Sequence, residues 1–381
     1  MISRRAAALL VTAILSALLS GCGSFWPWSG PSKPKMPEPP QVSSPVAARV
    51  AWTLKLGDAG IGFSPSYVAG ALYAASAKGL VARIDPVSGR AVWQVDLGKK
   101  LSAGVGSDGK IVVVVTEDGE LIALDINGQR KWALNLGSDA ATVPVVGHGV
   151  VLLRTGDNRV HAIDAQEGKR RWTFKRQGPP LVLRQTASIM LTPSLAFIGL
   201  PSGRLVAVDL RNGAQRWEAT VSLARGATEI ERISDVVGTP LLIGRQICAA
   251  NYNGKLACFD ALTGRGLWFR SIASSTGVEV DSKSVVIVDA QDQIHAFSVN
   301  GASLWKQEKY SGRGLSAGLS IASVLVLGDS KGLIHLVSRD NGAVAGRFSS
   351  DGTAIVTQPI AADRLAIVQT SGGSLVAVAF D

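Results

Sequence analysis

The sequence is short of the side chains that carry most enzymatic and metal chemistry. Among 381 residues there are 3 cysteines and 4 histidines. The cysteines, at positions 22, 248 and 258, form neither an adjacent pair nor the Cys-x-x-Cys-His of a haem site. His161, His295 and His335 hold one repeat position in separate repeats, so they are not expected to converge on a metal. No P-loop sequence occurs, which removes one common enzyme signature. Charged residues make up only 18% against 46% hydrophobic, a balance that excludes a disordered chain. The formal charge of +10 comes from Lys and Arg scattered along the chain without a basic run. That pattern fits solubility and a general attraction to anionic surfaces, not nucleic-acid binding. The one marked apolar run, Ala6 to Leu18, is too short for a spanning helix.

What the chain does contain is a repeated phrase. A short apolar strand runs into Asp, a turn Gly follows, and a Trp comes four residues later. It reads Asp85…Gly89…Trp93, Asp125…Gly128…Trp132, Asp164…Gly168…Trp172, Asp209…Gly213…Trp217 and Asp260…Gly264…Trp268. A worn copy reads Ser298…Gly301…Trp305, and a fainter one Ser338…Gly342…Phe348. A period of roughly 40 residues is that of propeller blades. Each unit resolves into four short strands joined by tight turns, a meander. The Asp is suited to bonding the N–H groups of its own turn, and Gly supplies positive φ. The Ala before the Asp is a small slot, and the Trp offers apolar surface to an adjacent sheet.

Eight units can be counted. The last, Thr357 to Ala379, supplies three strands, and the missing fourth is available at Val50 to Leu56, with Trp52 in the repeat position. The expected fold is all-β: an eight-bladed β-propeller of four-stranded antiparallel blades over residues 50–381, the last blade closed by the N-terminal strand. Closure removes the exposed sheet edges at the chain ends.

The N-terminus reads as an address. Arg4 and Arg5 precede the apolar run, as in a signal peptide over residues 1–21. Leu19-Ser20-Gly21-Cys22 resembles the bacterial lipobox, which implies acylation of Cys22. Gly23 in place of Asp implies delivery to the outer membrane, so the expected location is the periplasmic face of that membrane, held by lipid. Residues 22–49 read as the acylated Cys and a Pro-rich tether. Their prolines forbid a continuous helix, and an extended polyproline chain of this length reaches about 80 Å. Trp26 and Trp28 suit either the interfacial layer or a disordered tail.

The Ala-x-Asp-x-x-x-Gly-x-x-x-Trp phrase resembles the repeat of PQQ propellers. Lipobox, Pro-rich tether, an array ending at the C-terminus and the stretch Thr228 to Val236 together resemble the BamB (YfgL) family of outer-membrane assembly lipoproteins over the whole chain. That resemblance implies a non-enzymatic scaffold without a cofactor. Its implied partners are the POTRA domains of a BamA-like barrel protein, other lipoproteins of the assembly machinery and unfolded outer membrane proteins. The alternative is a periplasmic PQQ-dependent quinoprotein dehydrogenase, which needs calcium ligands and a catalytic carboxylate and in many members adjacent cysteines.

Repeat spacing points independently to an interaction site. Trp-to-Trp distances run 41, 39 and 40, then lengthen to 45 and 51, then fall to 37. The surplus lies in Gln177 to Arg184 and in Val221 to Asp235. Both segments follow an outer strand and precede the next inner strand, so both emerge on one face at consecutive junctions. Leu181 and Leu183 beside Arg184 suit an anchor with a polar rim, the competing reading being that the leucines cap the core. By resemblance, Leu181, Leu183, Arg184 and Asp235 match the family's partner-binding positions, while Val237 stands where the family pattern has a second Asp. Cys248 and Cys258 flank the Tyr252-Asn253-Gly254 turn. A three-residue bulged loop makes them face each other as a disulfide, and a two-residue loop points them apart.

Overall fold

The computed structural model describes residues 36–140, 142–176, 178–179, 181–183, 188–223 and 226–380. Cys22, Trp26 and Trp28 lie outside these residues, as does Arg184. Residues from Pro37 onward form one unit of eight four-stranded antiparallel sheets. Blades 1 to 7 span 66–96, 101–135, 145–175, 189–220, 236–270, 278–307 and 319–349. In each the strands follow chain order from the inner to the outer edge. Blade 8 takes three strands from 360–380 and its outer strand, Ala48–Lys55, from the other end of the chain. Trp52 pairs with Ala377, in the expected register. The eight inner strands neighbour one another in a closed ring. The core lies between blades, because the middle strands are buried on both faces and read as apolar runs such as Ile111–Thr116 and Val150–Arg154.

The repeated phrase is the lock between blades. Trp52, Trp93, Trp132, Trp172, Trp217, Trp268 and Trp305 each donate an indole N–H to a carbonyl in the next blade's last turn, at 2.7–3.1 Å. The turn Gly lies flat under the indole. At Gly213, φ is +71°, and a Cβ would stand 2.7 Å from Trp172 Cε3. The turn Asp bonds its own backbone: Asp164 Oδ1 accepts from the amides of Gln166 and Glu167, both at 2.8 Å.

Blade 7 departs from the expected pattern. Phe348 does not take the Trp position; it pairs with Ile334, and Gly346 stands opposite Leu336, so the small and large members of the pair are exchanged. The cause is topological. A Trp here would need the turn joining the third and fourth strands of blade 8, and those strands belong to opposite ends of the chain. A different segment covers the gap. The amides of Ser43 and Ser44 donate to Val344 O at 2.9 and 3.0 Å, and Val46 N–H donates to Ala345 O at 3.0 Å. Val46 and Ala48 pack against the core cluster of blades 7 and 8. Farther back, Pro37 O accepts from the Arg313 guanidinium, which is buried and paired with Asp329. Residues from 37 onward, expected as free tether, thus lie on the propeller, and the outer strand begins at Ala48 rather than residue 50.

The histidines that share a repeat position are ties within their own blades. His295 and His335 bond Asp289 and Asp329, each at 2.8 Å, and His161 bonds Thr155 at 3.3 Å. Among the described residues no cluster of His, Cys, Asp and Glu is arranged to hold a metal.

Candidate functional site

Two concave or loop-rich places compete as the working site. The first is the axial cavity, about 330 Å³, lined in part by Ser64, Thr142, Ser188, Thr239, Thr276 and Gln358. Among the described residues its lining holds hydroxyls, an amide and apolar groups but no carboxylate, imidazole or amine. A calcium-bound quinone finds no acidic ligand there.

The second is the pair of insertions. Outer-to-inner connections share a face with the turns between the second and third strands, as backbone bonds from Leu97 to Gly79, Leu136 to Gly119 and Val221 to Gly203 show. Both long loops therefore rise on one face, at the junctions of blades 3 with 4 and 4 with 5. The second loop carries its own fold at the tip. Thr228-Glu229-Ile230-Glu231 closes as a capping box. Glu231 Oε2 accepts the amides of Ala227 and Thr228 at 2.7 and 3.1 Å, and Thr228 Oγ1 accepts the Glu231 amide at 3.3 Å. Those amides hold the Glu231 carboxyl below the usual range. The turn presents Ile230 at 71% exposure, and Leu223 at 61% and Leu181 at 41% stand on the same two loops, so each loop offers large apolar side chains to solvent.

Asp235 does not share that exposure. It is 1% exposed, and its carboxylate accepts the Leu183 amide at 2.7 Å and the Ser202 amide at 3.3 Å. An acid whose two oxygens are held by backbone in the interior cannot offer its charge to a partner; it staples the first insertion to the base of the second. Leu183 is half-buried against the cluster of blades 5 and 6, so of the two leucines only Leu181 is left as an outward anchor. Val237 is buried in that same cluster.

Below the staple lies Arg154, fully buried at the end of an apolar strand. It donates to Gly199 O at 2.8 Å, and its Nε has no partner. Burial pulls its pKa down to about 10, opposed by the field of Asp235. Sequence reading missed Arg154; a charge closing Val150-Val151-Leu152-Leu153 was the available signal. The base of the second loop is fastened to blade 5 as well. Asn251 Nδ2 donates to Ser234 O at 2.7 Å, and Tyr252 N–H to Asp235 O at 2.9 Å. Cys248 and Cys258 close this same hairpin. They sit directly opposite each other across a three-residue connection, Cα atoms 4.1 Å apart, and are disulfide-bonded.

Comparison with known proteins bears on which place matters. Residues 77–307 match the family model described as outer membrane protein assembly factor BamB. The BamB of Bordetella pertussis is 40% identical over 374 residues, covering 97% of this chain and 96% of the relative. The crystal structure of BamB from Moraxella catarrhalis superposes with a TM-score of 0.81 at 26% identity, covering 88% of this chain and all of that one. A quinohemoprotein alcohol dehydrogenase from Comamonas testosteroni has a TM-score of 0.68 at 15% identity, a likeness of fold alone.

Proposed function

Since this chain belongs to the BamB family of outer membrane protein assembly factors, we propose that it serves the assembly machinery as a non-enzymatic scaffold, lipid-anchored through Cys22 at the periplasmic face of the outer membrane. Its loop-bearing face docks on the POTRA domains of a BamA-like barrel protein, alongside the other lipoproteins of the machinery. The observation that carries this reading is the coupling of the two insertions. The Asp235–Leu183 bond holds them as one surface, from which Leu181, Leu223 and Ile230 project. A rigid ring with one prepared apolar patch suits the orientation of a flexible multidomain partner, because little ordering of the scaffold is left to be done on binding.

The test is affinity for the purified POTRA-bearing partner. Leu181→Ala should weaken it about tenfold, the usual cost of truncating a buried apolar anchor, with the melting temperature unmoved. Unchanged affinity sinks the reading. So does a lost affinity that comes with a large fall in melting temperature, since Leu181 would then be a cap on the core.

A further inference from the structure

Outer strands of the blades are sheet edges, and seven of the eight are guarded. In each of those seven, the two positions flanking the Trp, or its Gly346 equivalent, include at least one polar or charged side chain. They are Gln94 in blade 1, Lys131 in blade 2, Arg171 and Thr173 in blade 3, and Arg216 and Glu218 in blade 4. Blades 6, 7 and 8 carry Lys306, Arg347 and Thr53. Such residues on an edge discourage pairing with another chain. Blade 5 has none. Its outer strand, Gly266–Arg270, places Leu267 before the Trp and Phe269 after it, 40% and 58% exposed. Apolar surface continues before the start of this strand, at Leu262 in the adjoining turn. The flank is cationic. Lys255 Nζ lies 4.5 Å from the Phe269 ring centre, and neither Lys255 nor Arg265 has a carboxylate partner among the described residues. The nearest acid of this hairpin, Asp260, is taken by Arg245 at 2.7 Å.

We propose that the outer strand of blade 5 is a strand-addition site that receives an extended segment of an outer membrane β-barrel client, apolar at every second residue and acidic between. Once Arg270, whose Nη1 donates to Phe269 O at 2.8 Å, swings aside, main-chain hydrogen bonds along the edge supply the register, Leu267 and Phe269 take the alternate apolar side chains, and Lys255 and Arg265 meet the carboxylates. Strands of outer membrane barrels alternate in this way over about ten residues, so an unfolded client offers many such segments. The site rests on the scaffold reading above for the class of occupant and lies outside the loops that reading uses.

The experiment uses the purified full-length protein and a labelled synthetic ten-residue peptide that alternates Val, Leu or Phe with Asp, Ser or Thr. Binding is read by fluorescence anisotropy. The variant Leu267→Arg with Phe269→Lys imports residue types that blades 3 and 6 carry at the same positions, so Trp268 and its lock are kept and the melt serves as the folding control. The expected result is a loss of peptide affinity of about tenfold or more with an unchanged melt, and an equal loss when alternate peptide amides are N-methylated. Equal binding by variant and wild type overturns the proposal, and so does full affinity of the N-methylated peptide, which would mean side-chain contact without strand pairing. Sedimentation of the wild type as a dimer that the variant breaks also overturns it, since the edge would then belong to a second copy. The two readings fail separately. If Leu181→Ala leaves partner affinity intact while the peptide result holds, the scaffold reading falls and this site stands.

Discussion

Replacing Asp235 by Ala separates a residue that positions a surface from one that touches a partner. The change removes a buried carboxylate that accepts the Leu183 amide at 2.7 Å and the Ser202 amide at 3.3 Å. Hydrogen bonds to a charged group contribute about 1.5–3 kcal/mol each, and the longer one belongs at or below the bottom of that range. Arg154 adds to the loss. Its guanidinium is buried, donates to Gly199 O, has an unpartnered Nε, and relies on the Asp235 field to offset part of its burial. The expected loss is therefore about 3–4 kcal/mol. With an unfolding entropy of about 2.1 cal/mol/K per residue, a body of this size should melt about 5 °C lower. Affinity for the POTRA-bearing partner should fall too, although Asp235 never meets it, because the first loop loses its hold on the second. Thermal melts by circular dichroism and affinity by biolayer interferometry read both quantities on one preparation. Asp235→Asn keeps an acceptor for Leu183 and should lie between. If Asp235→Ala abolishes partner binding while the melt stays within a degree, the carboxylate meets the partner directly and the staple is wrong.

Three further outcomes follow from the same geometry. Gly213→Ala should destabilise more than Gly137→Ala. Both positions have positive φ, but only the first drives a Cβ into an indole, so equal melts would refute the lock. Deleting residues 37–47 should cost at least about 3 kcal/mol, from three backbone bonds at about 1 kcal/mol each with Val46 packing in addition, though the outer strand of blade 8 is untouched; a deletion variant that melts like the parent shows the segment to be idle. Glu279 accepts the Ser320 amide and the Gln358 side chain at 2.8 and 2.9 Å, yet burial pushes its pKa up to about 7. The folded protein then holds a proton between about pH 4.5 and 7 that the unfolded chain releases, so stability falls as pH rises through that window, by about 3 kcal/mol. Glu279→Gln should flatten that slope and raise the melt at pH 8, and an unaltered slope rules Glu279 out as its source.

The blade locks were legible because their parts lie close along the chain and recur. Asp, Gly and Trp each have one local reason to stand where they do, and the same three reasons hold at Asp164-Gly168-Trp172 as at Asp209-Gly213-Trp217. The closing strand was legible for a related reason, since Trp52 is a repeat residue without a repeat around it. The long loops could be found by counting, but their inside and outside could not. Whether Asp235 faces a partner or the interior depends on the Leu183 and Ser202 amides, contributed by separate segments, and no pattern within Val221 to Asp235 carries that information. The reading of residues 37–47 failed in a more instructive way. Proline forbids helix and central strand, and a chain with neither prospect reads as free tether. It does not forbid an extended segment that lends a few amides to carbonyls at an incomplete junction. The sign that such a lender was needed lay at the other end of the chain, in Gly346 opposite Leu336, where the lock exchanges its large and small members. A ring closed by two chain ends has one junction with no turn to receive a tryptophan. The 37–47 segment meets that junction instead, with the amides of Ser43, Ser44 and Val46 on the carbonyls of Val344 and Ala345.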